Sequence, residues 1–176
     1  MFSLSRRHLI GGLGLVVTLV SFNVHAQTAG KTPSTADYVK KAAIGDMFEI
    51  QSSKLALDRA DDGDVKDFAQ MMITDHTKST QMIKAAVAQG SNGVEIPHGL
   101  DGEHERLLKQ LEGEKGKDFD KLYLQIQEEA HRQALELHQS YAERGEDAPL
   151  RMAANQIVPV VSHHLERLAV LMKDKD

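Results

Sequence analysis

Four side chains stand out for the chemistry they could do together. They are Glu49 in "GDMFEIQ", His76 in "MITDHTKS", His131 in "EEAHRQ" and His164 in "VVSHHLERL". Imidazole nitrogen suits zinc, copper or iron, and one carboxylate would complete a mixed nitrogen–oxygen site. Glu128 stands three residues before His131, the Glu-x-x-His spacing of di-iron bundles. The matching positions before His76 and His164 hold Ile73 and Val161, so the carboxylates for a second iron are missing. The candidate ligand set for one ion is therefore His76, His131, His164 and Glu49, with Glu128 as an outlying member. The chain has no cysteine, which excludes thiolate metal sites, disulfides, a cysteine nucleophile and a lipidated cysteine.

These groups can meet only if long elements carry them to one level. "STAD" from Ser34 opens a first helix with a capping box, and that helix runs to about Ala60. "DDGD" turns the chain, with Asp64 as the expected cap of a second helix to about Gln89. A glycine-rich stretch from Gly90 to Lys117 follows, with only "EHERLLKQLE" helical in pattern. A third long helix spans about Asp118 to Arg144. Asp147 caps a fourth, which carries Pro149 in its first turn and runs to about Lys173. No segment alternates as a strand would. The expectation is an all-α, ferritin-like antiparallel four-helix bundle over residues 34–174, with one long crossover between helices two and three.

Periodicity assigns the faces. Val65, Phe68, Ala69, Met72, Ile83 and Val87 form a stripe centred on His76, with Asp75 at its edge. His131 and His138 lie on the apolar side of the third helix, and Glu128 on its border. In the fourth, His164 falls within the stripe of Leu150, Ile157, Val161 and Leu168, while its neighbour His163 points to solvent. Pro159 removes one helix hydrogen bond ahead of His164 and is expected to bend the helix there.

Height follows from counting. Glu49 lies 13 residues before Asp62 and His76 14 after it; His131 lies 16 before Asp147 and His164 17 after it. Each is near the midpoint of its helix, and midpoints share a level whichever way a helix runs. His138 falls two turns away, roughly 10 Å. Burying four such groups is costly unless each finds a partner. They either hold a metal ion, or bond to one another and to trapped water and so fix the register of the helices. Met47, Met71, Met72 and Met82 are read as packing residues, and His98 and His104 as exposed parts of the crossover.

The segments "FAQMMITDHTKS", "FDKLYLQIQEEAHRQALELH" and "VPVVSHHLERL" resemble the exported bacterial proteins of domain-of-unknown-function family 4142. The resemblance covers roughly residues 35–173 and is carried by Asp75-His76, His131 and Pro159 with His164-Leu165. It implies a ferritin-like fold and export, and brings no established reaction, substrate or metal. Members also carry an outer-membrane label, yet nothing in this sequence reads as a barrel, an anchor or a lipid-attachment site.

Residues 1–26 read as a signal peptide. Arg6 and Arg7 precede the apolar run "IGGLGLVVTLVSF", and "VHA" ends at Ala26 with a small residue. The paired arginines leave the Sec and twin-arginine routes both open. Residues 27–33 form a flexible lead. Removing the first segment removes two arginines and no acid, so the remainder is two charges more negative than the chain's formal −5. That balance argues against nucleic acid and anionic lipid as partners and leaves a protein partner open. No nucleophile–base–acid arrangement, phosphate loop or dinucleotide fingerprint is present. Two functions follow: a non-catalytic envelope or stress-related protein of the periplasm acting through an acidic surface, or a mononuclear metal-binding or redox protein with one zinc, copper or iron ion.

Overall fold

The computed structural model describes residues 32–91 and 93–173. The expected signal peptide, its expected cleavage point at Ala26 and the first part of the expected lead lie outside these residues. The described chain is all-helical: α1 Thr35–Arg59, α2 Gly63–Gly90, α3 Gly102–Glu112, α4 Gly116–Arg144 and α5 Ala148–Lys173. Ser34 caps α1, accepting from the Asp37 N–H at 3.1 Å and donating to the Asp37 carboxylate at 2.7 Å. The cap of α2 is Asp62, not Asp64. Asp62 is extended, and its carboxylate accepts from the N–H groups of Asp64 (2.7 Å) and Val65 (3.4 Å). Asp64 falls instead in the first turn, where its charge favours the helix dipole. At α5 the expected cap holds, with the Leu150 N–H donating to Asp147 at 2.9 Å.

Four long helices pack in the cyclic order α1, α2, α5, α4, and α3 lies across α1 and α4. Cross-helix pairs give the directions. Tyr38 meets His138 and Ser53 meets Tyr123, so α1 and α4 are antiparallel. Asp75 meets His164 and Ser91 meets Asp147, so α2 and α5 are antiparallel as well. The crossover therefore runs from one end of the bundle to the other, with α3 inside it. Gly116, at φ +63, turns the chain from α3 into α4 in a conformation that glycine adopts without a Cβ penalty.

Both ends are fastened by a buried or bridging aspartate. Asp120 of α4 accepts from the N–H groups of Asp61 and Asp62, each at 3.1 Å, and so holds the α1–α2 turn. Asp147 accepts from Ser91 at 2.7 Å and joins the end of α2 to the start of α5. A Cβ on Gly90 would collide with that Asp147 carboxylate, so the close approach needs glycine there.

The apolar interior is divided in two. One cluster contains Tyr38, Ile83, Val87, Tyr141, Leu150 and Ile157. The other contains Phe68, Met72, Phe119, Tyr123, Leu124 and Leu168. Burying each large side chain contributes about 1.5–3 kcal/mol. Between the two clusters lies a polar layer that includes Asp46, Glu49, His76, Gln127, His131 and His164, all buried. The helix α5 is continuous through Pro159. Pro159 and Asn155, whose carbonyl loses its N–H partner, both lie on the exposed face, where water can replace that bond.

Candidate metal centre

His76, His131 and His164 each offer one ring nitrogen, and these atoms all lie within 4.8 Å of one another. Three helices supply them: α2, α4 and α5. The closest pair is His131 Nε2 and His164 Nδ1, at 3.2 Å. His76 Nε2 is buried and has no hydrogen-bond partner.

The opposite nitrogen of every ring is held. His76 Nδ1 is 2.8 Å from Asp46 Oδ1, and the other oxygen of Asp46 accepts from Thr80 at 3.1 Å. His131 Nδ1 donates to the Gln127 carbonyl one turn back, at 2.8 Å. His164 Nε2 is 3.2 Å from Asp75 Oδ2, which places it as a donor to that carboxylate. A ring nitrogen facing a carboxylate or a carbonyl must carry the proton, because those oxygens can only accept. In the neutral imidazoles the inner nitrogens then carry lone pairs. This is the arrangement that metal-ligating histidines adopt, with an outer acceptor fixing each tautomer.

Two of the rings are held neutral. Burial, with the charges of His76 and His164, keeps His131 well below the ordinary histidine range. Burial and the His76 charge lower His164 to about 4, against the raising effect of Asp75. Burial also acts to lower His76, but the Asp46 carboxylate and the charges of Glu49 and Asp75 outweigh it and raise that ring. Burial pushes Asp75 up, yet hydrogen bonds from His164 and Lys78 hold it below the usual carboxylate range.

Glu49 reaches the cluster from behind. Its Oε1 is 3.7 Å from His131 Nδ1, the outer nitrogen, and its Oε2 is buried without a partner. Burial pushes this carboxyl up to about 7, although the His76 charge and the Gln127 amide both act to lower it. In this geometry Glu49 supports His131 rather than facing the space between the three rings. Glu128 is not brought to the cluster at all; it accepts from Arg132 at 2.6 Å on the outside of α4. His138 bonds to the Tyr38 hydroxyl at 3.0 Å within the first apolar cluster.

Asp46 was not among the residues singled out by sequence, although it lies one turn before Glu49 on the same helix face. The crossover histidines divide. His98 is exposed, whereas His104 is 26% exposed, stacks edge-on to Phe48 and bonds to Asp101 at 2.6 Å. Two openings reach the layer. A cleft of about 1210 Å³ between α1 and α4 is floored by Asp46, Glu49 and His76. A cavity of about 130 Å³ between α2 and α5 is lined by His76 and His164.

The chain matches the sequence profile of the family described as "Domain of unknown function (DUF4142)" over residues 21–171. It belongs to this family. The layer described above is thus a feature of a DUF4142 chain, and the resemblance read from its three segments holds. The DUF4142 chain is also similar to the crystal structure of a "putative secreted protein DUF305" from Streptomyces coelicolor. That likeness has a TM-score of 0.64 at 18% identity and covers 78% of this chain and 89% of the other. At that identity the shared property is the helical fold. No curated protein matches the DUF4142 chain in sequence. Among its described residues no helix is long and apolar enough to cross a membrane.

Proposed function

We propose that this chain is an exported, ferritin-like four-helix protein that binds one transition-metal ion through His76, His131 and His164. The single observation that carries the reading is the 3.2 Å contact between His131 Nε2 and His164 Nδ1. With both outer nitrogens donating, that contact sets one lone pair against another. A cation between the rings removes the conflict. Tetrahedral zinc with nitrogen ligands at about 2.0–2.1 Å would place two such nitrogens roughly 3.3 Å apart. His76, with its unpartnered Nε2, would be the third donor. Zinc, copper and iron all suit such imidazole donors. The signal-peptide pattern of residues 1–26 supports export, and the cyclic helix order with one long crossover supports the ferritin-like assignment.

The deciding experiment is metal analysis of protein purified from the envelope, followed by melting with added zinc, copper or iron. About one ion per chain and a raised melting temperature are expected. Binding at 100 times Kd would add about 2.7 kcal/mol. Substoichiometric metal with no melting shift would overturn the reading. It would leave the alternative that the layer only fixes helix register in a non-catalytic envelope protein.

A further inference from the structure

Three histidines leave an ion short of the four ligands that tetrahedral coordination requires. We infer that the cavity between α2 and α5 seats the fourth: water at rest, exchangeable for a small monodentate ligand of two or three heavy atoms. The inference rests on the metal reading and adds what the site takes up.

Two buried atoms without a hydrogen-bond partner, His76 Nε2 and Ser79 Oγ, belong to residues that line this one cavity. Ser79 follows His76 by three residues, so both lie on the same face of α2. Its free hydroxyl contrasts with its neighbours. Thr74 and Thr77 each donate to the carbonyl four residues back, at 3.0 and 2.6 Å, the usual resting place of a helical hydroxyl. Ser79 makes no such bond, which leaves its Oγ able to donate to a group held in the cavity.

The remaining lining sets the size and kind of ligand. Met82, Ile157, Val160 and Val161 make apolar walls. A volume of about 130 Å³ holds a few waters, at roughly 30 Å³ each in the liquid. It is too small for a sugar, a nucleotide or a peptide segment. Asp75 and Lys78 also line the cavity and pair with each other at 3.3 Å, so the Asp75 charge is offset and a small anion meets no unpaired carboxylate there. The cleft between α1 and α4 is the less suitable route for an anion. It meets His76 alone of the three rings and is floored by the carboxylates of Asp46 and Glu49.

The test uses cobalt(II) as the ion and azide as the ligand, followed by visible absorption of the full folded chain. One cobalt per chain is expected, with a saturable spectral change on adding azide. Ser79→Ala should keep the cobalt and weaken azide roughly three- to tenfold. Val160→Phe, which fills the cavity from a half-buried position, should keep the cobalt and abolish the azide response. Cobalt uptake with no response to azide would overturn this inference and leave the metal reading standing. An undiminished response in both variants would also overturn it, since the ligand would then reach the ion elsewhere. Failure to take up cobalt, together with zinc, copper and iron, would remove both.

Discussion

His131 Nε2 and His164 Nδ1 face each other at 3.2 Å, while the far nitrogen of each ring is committed to an oxygen that can only accept. Neither neutral ring has a proton to put between them. The pair costs free energy in the bare protein, and a positive charge placed between the rings would offset that cost.

Adjacent histidines should therefore behave differently. His164 is fully buried, whereas the His163 side chain is 57% exposed beside Glu166. His164→Ala should destabilise the protein by about 1–3 kcal/mol and abolish metal uptake. His163→Ala should change neither by a measurable amount. Denaturant melts with and without zinc check both, and equal effects would contradict the facing of α5.

The outer acceptors should tune affinity without changing the number of ions bound. Asp46→Asn weakens the acceptor on His76 and should lower metal affinity about 10–100-fold. Glu128→Gln should leave affinity unchanged, because that carboxylate is paired with Arg132 outside the layer. Calorimetric titration with zinc separates the two outcomes.

Asp120 is expected to be a stability hot spot without touching the candidate ligands. Its two oxygens hold two consecutive backbone N–H groups of the α1–α2 turn. Asp120→Ala should cost about 1–3 kcal/mol in denaturant melts and leave the metal stoichiometry intact.

The metal-free protein should weaken in acid. Burial lowers His138 to about 4 from an ordinary value of 6.5. A lowered folded value means that the unfolded chain binds the proton first, so stability is full above 6.5 and falls as pH drops towards 4. The loss from this one ring is at most about 3 kcal/mol. Glu49 acts in the opposite sense. Raised from 4.5 to about 7, it costs stability as pH climbs through that interval. His131 and His164 are lowered as well and act in the same sense, so His138→Phe should make the acid limb shallower without removing it, measured by denaturant melts between pH 7 and 4.

The convergence of His76, His131, His164 and Glu49 was legible because long helices joined by short turns behave as rods. Counting residues from each turn fixed the heights, and periodicity fixed the faces. Asp46 was harder to see. The first helix is apolar over a broad arc, so a carboxylate one turn from Glu49 carried no facing signal of its own. The cap at Asp62 was missed for a different reason. Three aspartates surround Gly63, and only the extended backbone at Asp62 decides which carboxylate reaches the free N–H groups. Which oxygen backs each ring could not be read from spacing, because it depends on side-chain rotamers across the interface. His104 escaped because its partial burial comes from α3 folding back over Phe48, a contact made across the crossover.

The crossover has one more consequence. Opened between Gly93 and Leu100, the chain would become two helical hairpins, α1–α2 and α3–α4–α5. The first hairpin would carry His76 and the second His131 and His164, so neither half alone holds the donor set. Asp120 and Asp147 would bridge the halves at opposite ends of the seam, and the ion would bridge them at its middle. Under the metal reading proposed above, two such fragments, mixed, should form a pair whose reassembly a chelator would switch.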